Sequence, residues 1–264
     1  MQIKGAQALV TGAAGGLGGA IARALHGRGA RLILTDLRAE PLHILAAECN
    51  GAEVFVCDLS DRGQLGHLSA RCVDADIVVA NAALPATGQL DDFTARQLDR
   101  ALDVNLRAPM LLTQRLLPGM LRRRRGHFVY ISSIAGKVPS SRLPIYSATK
   151  AGLRGFSSSL RLDLYGSGVS CSVVFPGTMT DAGMLADAGL PANPGSKGVT
   201  TDFVARRVIT AIEKDRAEVD AAELPVRIVA RLAGLAPGFV ARLTRRDDAL
   251  AWGDRVSEGL RHLR

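Results

Sequence analysis

Tyr146 and Lys150 stand four residues apart in Tyr-Ser-Ala-Thr-Lys, and Ser133 lies thirteen residues before the tyrosine. On a helix that spacing puts phenol and ammonium on one face, a turn apart. A free phenol titrates near ~10, too high for a good proton shuttle at neutral pH. A neighbouring ammonium favours the phenolate. The pair therefore predicts an activated tyrosine whose pKa is drawn down by Lys150. Tyr130 and Tyr165 have no lysine four residues on and read as structural. The five histidines (His26, His43, His67, His127 and His262) show no ligand spacing, so no metal is expected. Gly-x-Ser-x-Gly is absent, which disfavours a hydrolase.

A pair like this needs rigid elements to hold it. Residues 144–165 predict the helix that carries it. Upstream, short apolar runs alternate with helical stretches. The expected strands are Ala8–Val10, Arg31–Thr35, Val54–Cys57, Ile77–Ala80, Phe128–Ile131 and Val169–Phe175. A helix is expected over 16–27, another opening near Pro41, and a long one over 94–121 that Pro118 interrupts or ends. Arg122–Arg125 then form its solvated, cationic end. Continuous apolar strands alternating with helices indicate a parallel sheet covered on both faces, an α/β doubly wound fold. No repeat or linker divides residues 1–264, so one domain is expected.

Between the first strand and first helix runs Thr11-Gly12-Ala13-Ala14-Gly15-Gly16-Leu17-Gly18. Glycines there let the backbone approach a pyrophosphate, and the helix N-terminus supplies N–H groups. The spacing fits G-x-x-x-G-x-G through Gly12, Gly16 and Gly18, and also G-x-x-G-x-x-G through Gly15. Asp36 ends the second strand, where a carboxylate binds ribose hydroxyls and repels a 2′-phosphate. NAD is expected over NADP, with Arg38 as the residue that could turn toward a 2′-phosphate. The competing reading has Asp36 merely capping the next helix.

The composition permits this and narrows the rest. The chain has 264 residues, 47% hydrophobic and 22% charged, enough for a real core. The early strand over residues 7–12 leaves no room for a signal peptide. Four scattered cysteines (Cys49, Cys57, Cys72, Cys171) suggest buried thiols in a reducing compartment, hence a cytoplasmic protein. The formal charge is +8, but aromatic residues are only 4% and none interleaves with the basic runs. Nucleic-acid binding is therefore not expected.

With these motifs in order, the chain resembles the short-chain dehydrogenase/reductase family, in its compact oxidoreductase branch. The matching residues are Thr11-Gly12 through Gly18, Asp58-Leu59, Asn81-Ala82-Ala83, Asn105, Ser133, Tyr146 with Lys150, and Pro176-Gly177. The resemblance implies a seven-stranded Rossmann sheet and a homodimer or homotetramer. It implies Tyr146 as general acid/base, Ser133 on the substrate oxygen, and Lys150 on the nicotinamide ribose. It also implies that Asn105 holds a water linking Lys150 to solvent. Cofactor contacts would come from Thr11, Gly12, Gly16, Leu17, Gly18, Asp36, Asp58, Leu59, Asn81, Ala82, Pro176, Gly177 and Thr178 or Thr180. Three positions depart from the pattern. Ala83 replaces a glycine, Tyr130 replaces an asparagine, and Asp181 stands where a threonine is usual.

Two segments carry less of the pattern. Residues 178–200, with Met179, Met184, Leu185 and Leu190, predict a substrate loop or lid. Residues 224–264 form a basic C-terminal extension. From Leu224 to Arg246 there are five arginines and no acid, interleaved with apolar residues and split by Pro237-Gly238. Two short amphipathic helices are expected, covering either the substrate cleft or the domain edge, or else attaching to an anionic membrane surface. The sequence thus predicts hydride transfer between NAD and a hydrophobic secondary alcohol or ketone. The alternatives are an NADP-dependent ketone reductase and a dinucleotide-sensing protein without turnover.

Overall fold

Seven parallel strands run in the order β3-β2-β1-β4-β5-β6-β7. The computed structural model of the chain describes residues 1–187, 189–190, 196–244 and 247–263. The expected lid therefore lies outside the described residues at 188 and 191–195, and the expected basic tail does so at Arg245 and Arg246. The strands are β1 Gln7–Thr11, β2 Arg31–Asp36, β3 Glu53–Val56, β4 Ile77–Ala80, β5 Gly126–Ile131, β6 Val169–Pro176 and β7 Glu218–Ala221. Strand order reverses between β1 and β4, so a crevice opens at their carboxyl ends.

Side chains alternate between the two faces, as a doubly covered parallel sheet requires. From β1, Ala8 and Val10 join a core with Ile21 and Leu25 of α1 (Gly16–His26), Leu42 and Leu45 of α2 (Ala39–Glu48), and Val208 and Ile212 of α8 (Thr201–Glu213). Leu9 faces the other way, toward Leu65 and Leu68 of α3 (Arg62–Arg71), Leu112 and Leu116 of α5 (Ala108–Arg123), and Leu153 of α6 (Pro144–Asp163). All four cysteines are buried free thiols.

The long helix expected over 94–121 is three pieces. α4 (Ala95–Leu102) opens on a capping box of Thr94 and Gln97. A π-helical turn follows at Asp103–Arg107, and then α5 begins. Pro118 does not end α5, which runs on to Arg123. Both Pro118 and Gln114, whose carbonyl loses its partner, lie on the solvent face, where water can satisfy the orphaned group. The helix stops at Arg124, whose φ of 51° is left-handed, within the expected arginine-rich end.

Past β6 come a short α7 (Met184–Asp187), then α8 and β7. The two helices expected between 224 and 246 are α9 (Leu224–Leu235) and α10 (Pro237–Thr244), and the extension adds a third, α11 (Asp247–Gly259). Pro237 starts α10 and divides it from α9, as its missing N–H allows. Among the described residues no helix is long and apolar enough to cross a membrane, and no group of histidines, cysteines and acids could hold a metal.

Candidate active site

A cavity of about 920 Å³ opens at the carboxyl ends of the strands. Its floor is the glycine-rich turn. Gly12 sits at φ +64°, and a Cβ there would lie 2.7 Å from the Ala82 Cα, so only glycine fits. A Cβ on Gly18 would lie 2.1 Å from the Gly12 carbonyl oxygen, which fixes the tight strand-to-helix turn. Thr11 is buried behind the cavity wall. Its hydroxyl accepts from the Asn81 and Ala82 amides at 3.0 and 3.1 Å. Asn81 Nδ2 donates back to the Thr11 and Gly12 carbonyls at 3.0 and 3.2 Å. These bonds join the ends of β1 and β4 across the switch point.

The residues present fit a dinucleotide. No side chain caps the start of α1, so its first N–H groups face the cavity uncommitted, and Gly15, Gly16, Leu17 and Gly18 line it. Ala182 lies directly over Gly16: a Cβ on that glycine would come within 2.2 Å of the Ala182 Cβ. The segment after β6 thus covers the turn.

Asp36 is held between two partners. One carboxylate oxygen accepts from the Ala14 amide at 3.1 Å, and the other from Arg38 N at 3.1 Å and Nε at 3.3 Å. Both residues line the cavity. Asp58 and Leu59 line it too, and Asp58 is fixed by Ser60 and by Arg100, whose guanidinium lies 3.5 Å away.

At the opposite end, Ser133, Tyr146 and Lys150 converge on the same cavity. Tyr146 and Lys150 share a buried face of α6, as their spacing predicts, with the ammonium 5.4 Å from the ring centroid. Ser133 begins a 3-10 turn at Ile134–Gly136 and accepts from the Ala135 amide at 3.1 Å. Lys150 Nζ donates to the Ile131 carbonyl at 2.8 Å, and Ser132 Oγ donates to the Lys150 carbonyl at 2.8 Å. α6 is thereby pinned to the end of β5 at Lys150. Gly136 makes this approach possible, since a Cβ there would lie 2.8 Å from the Lys150 carbonyl carbon.

The expected lowering of the Tyr146 pKa is corrected by burial. Desolvation pushes the phenol up to about 12, against the pull of a hydrogen bond from Ser133. Lys150 is buried without a carboxylate, and desolvation lowers its ammonium to about 7. Burial thus favours the uncharged form of both groups. Tyr146 is therefore a protonated phenol at neutral pH.

Asn105 sits on the π-helical turn, fully buried. Its Oδ1 accepts from the Leu84 amide at 2.7 Å, while Nδ2 donates to the Leu84 carbonyl at 2.9 Å and to Thr149 Oγ1 at 3.5 Å. It thus fixes the loop following Asn81 and touches the helix of Tyr146, with no hydrogen bond to Lys150 among the described residues. Pro176, Gly177 and Thr178 line the cavity. Thr180 does not; its hydroxyl turns to the Val199 carbonyl at 3.4 Å. Asp181 accepts from Thr201 N and Oγ1 at 2.9 and 3.0 Å, capping α8. That role explains the departure at this position. Tyr130 is explained as well: its hydroxyl pairs with Thr113 Oγ1 at 2.8 Å deep in the core.

The remaining wall comes partly from segments expected to cover the cleft, Leu185 of the loop and α9, and partly from α11, which motif reading did not single out. Val226 and Val229 of α9 and Trp252 and Val256 of α11 face the Ser133–Tyr146 end, beside Val138, Leu143 and Leu185. Arg142 clasps Asp254 of α11 through Nε at 2.5 Å and a second nitrogen at 3.2 Å. The one signal for α11 was its tryptophan, the only one in the chain.

Comparison with known proteins gives the family. The family model described as short chain dehydrogenase matches residues 6–190. A ketoacyl reductase, HetN, from Nostoc is 31% identical over 92% of this chain and 89% of its own length. A metagenomic short-chain oxidoreductase solved with NADP superposes at TM-score 0.69 and 30% identity, covering 83% of this chain and 98% of its own. A Burkholderia phymatum short-chain dehydrogenase/reductase solved with NAD gives a TM-score of 0.78 at 23% identity, covering 90% and 96%. Extending well beyond the motifs, these likenesses show that the chain is an oxidoreductase of the short-chain dehydrogenase/reductase family.

Proposed function

We propose that this oxidoreductase reduces a hydrophobic ketone to a secondary alcohol, using NADH in preference to NADPH. The observation that carries this reading is the meeting of the buried Tyr146 phenol with Ser133 and Lys150 at the apolar end of the cavity, where burial favours the protonated phenol. Ketone reduction needs a proton on the carbonyl oxygen as hydride arrives at the carbon. Tyr146 donates that proton, and Ser133 orients the oxygen. The dinucleotide supplies the hydride. Gly12–Gly18 and the start of α1 would hold its pyrophosphate, and Asp36 its adenosine ribose. Lys150, fixed by Ile131, would hold the other ribose beside the phenol. The role of Asn105 is to position Leu84 and α6.

The substrate reading rests on the wall formed by Val138, Leu143, Val226, Val229, Trp252 and Val256, a long apolar surface that suits an extended aliphatic or aromatic group. That HetN is named a ketoacyl reductase is consistent with such a substrate. The preference for NADH rests on Asp36, whose carboxylate faces the cavity and holds Arg38 by an ion pair. The competing reading, NADPH, requires Arg38 to leave that pair.

A panel of ketones and secondary alcohols, followed by nicotinamide absorbance with each cofactor, tests both parts. Turnover should be fastest with bulky apolar ketones and NADH. Selectivity for small polar ketones would overturn the substrate reading. Asp36→Ala should shift kcat/KM toward NADPH by roughly tenfold or more, because one charged contact is removed. An unchanged ratio would move cofactor choice to other residues.

A further inference from the structure

α9 is apolar on two opposite faces. Its inner face carries Val226 and Val229 on the cavity wall, and Ala230 and Ala233 buried against Val138 and Val240. Its outer face is also apolar: Leu224 is 65% exposed, Ile228 50% and Leu235 84%, and the exposed stripe continues at Phe239 of α10, 58% exposed. Their spacing of four, seven and four residues places them along one side of the helix pair. Arg231 lies within the stripe and Arg242 beside it; both are exposed, and neither makes an ion pair among the described residues. The acid just before α9, Glu223, accepts from Ser196 Oγ at 2.8 Å instead.

An exposed apolar helix face interleaved with arginines suits the interface of an anionic bilayer. A second copy of the chain is a poor occupant here. A twofold contact would bring the arginine-bearing stripe against itself, in a segment with five arginines and no acid from 224 to 246. We propose that the outer face of α9 and α10 docks on an anionic phospholipid surface. The aliphatic side chains and Phe239 enter the boundary between headgroups and acyl chains, and the arginines meet lipid phosphates. The same helix then faces lipid on one side and the cavity on the other, so an apolar substrate partitioned into the bilayer is concentrated at the mouth of the site. The docking itself does not depend on which ketone is reduced, and its test reads binding rather than turnover.

The test is flotation of the full-length protein with vesicles of phosphatidylcholine alone, or of phosphatidylcholine mixed with phosphatidylglycerol. Wild type should float with the mixed vesicles only, and added salt should release it. The triple variant Ile228→Ser, Leu235→Ser, Phe239→Ser should stay behind while keeping its circular dichroism and its turnover of a water-soluble ketone. Arg231→Gln with Arg242→Gln should weaken binding by roughly thirtyfold, at about 1 kcal/mol per basic residue. No flotation with either vesicle, equal flotation with both, or undiminished flotation of the two variants overturns the proposal. So does a wild type that does not float and whose oligomeric state in sedimentation velocity changes with the triple substitution, a result that gives the face to a second copy. Should the triple variant misfold, the charge variant and the lipid and salt dependence of wild type decide the matter.

Discussion

Two lysines are almost wholly buried in this molecule, and their surroundings differ in kind. Lys137, beside the edge strand β7, lies between carboxylates, 2.7 Å from Asp220 and 2.9 Å from Glu218, with its ammonium 3.7 Å above the Phe175 ring. Glu218 is shared with Arg154 at 2.7 Å. Lys150, at the end of β5, has a single carbonyl partner and no acid, and its ammonium is lowered to about 7. Paired charges at β7 tie elements together. An unpaired amine beside a buried phenol is costly to keep unless it does something else. The contrast separates a charge-paired lysine from an unpaired one without appeal to any motif, and the proposed function gives the unpaired one its work.

Substituting each lysine breaks the comparison at its widest point. Lys150→Met should lower turnover by roughly 10²- to 10⁴-fold, the usual range for loss of acid–base machinery. Its unfolding free energy should fall by no more than about 1 kcal/mol, because only one hydrogen bond is lost. Lys137→Met should do the reverse. It strands Asp220 at a nearly buried position, so stability should drop by roughly 3 kcal/mol, with turnover per folded molecule little changed. Urea unfolding and initial rates on both variants read this directly. Equal effects on rate would erase the distinction.

The pH dependence of stability sharpens it further. Lys150 has a folded pKa near 7 against 10.5 unfolded, so the unfolded chain binds the extra proton between those values. Its contribution therefore makes stability rise as pH climbs from about 7 toward 10.5. Tyr146 works oppositely, but only above pH 10, where the unfolded phenol ionises and the folded one holds its proton to about 12. The buried thiols of Cys49, Cys57, Cys72 and Cys171, all raised by burial, oppose this rise as pH nears their unfolded value of 9.0. Denaturation series between about pH 7 and 8 should therefore show a rise that Lys150→Met flattens and Lys137→Met leaves in place.

Much of this layout was legible in the residues. The first six strands showed as apolar runs because both faces of the sheet are covered. The Tyr146–Lys150 face followed from helical spacing alone. β7 did not show, since Glu218 and Asp220 put charges at alternate positions that only the folded partners Lys137 and Arg154 explain. Nor did the π-helical turn at Asp103–Arg107, where the helical pattern runs on unbroken while one extra residue per turn seats Asn105. The tyrosine pKa was misjudged because spacing reports who the neighbours are and not how dry they are. Of the two threonines suggested after Pro176-Gly177, the backbone turn alone decides that Thr178 faces the cavity and Thr180 does not. α11 and its Trp252 carry no signal tying them to a site more than a hundred residues upstream; the Arg142–Asp254 clasp makes that link in space.

The central claim is that Tyr146 is the proton donor. It is tested most directly by Tyr146→Phe, assayed with the best ketone from the panel by nicotinamide absorbance while dinucleotide binding is measured by calorimetry. The variant keeps the ring and its packing and loses only the hydroxyl. Turnover should fall to background, by roughly 10²- to 10⁴-fold, with dinucleotide affinity little changed. Turnover close to wild type would contradict the assignment and pass the proton to another group.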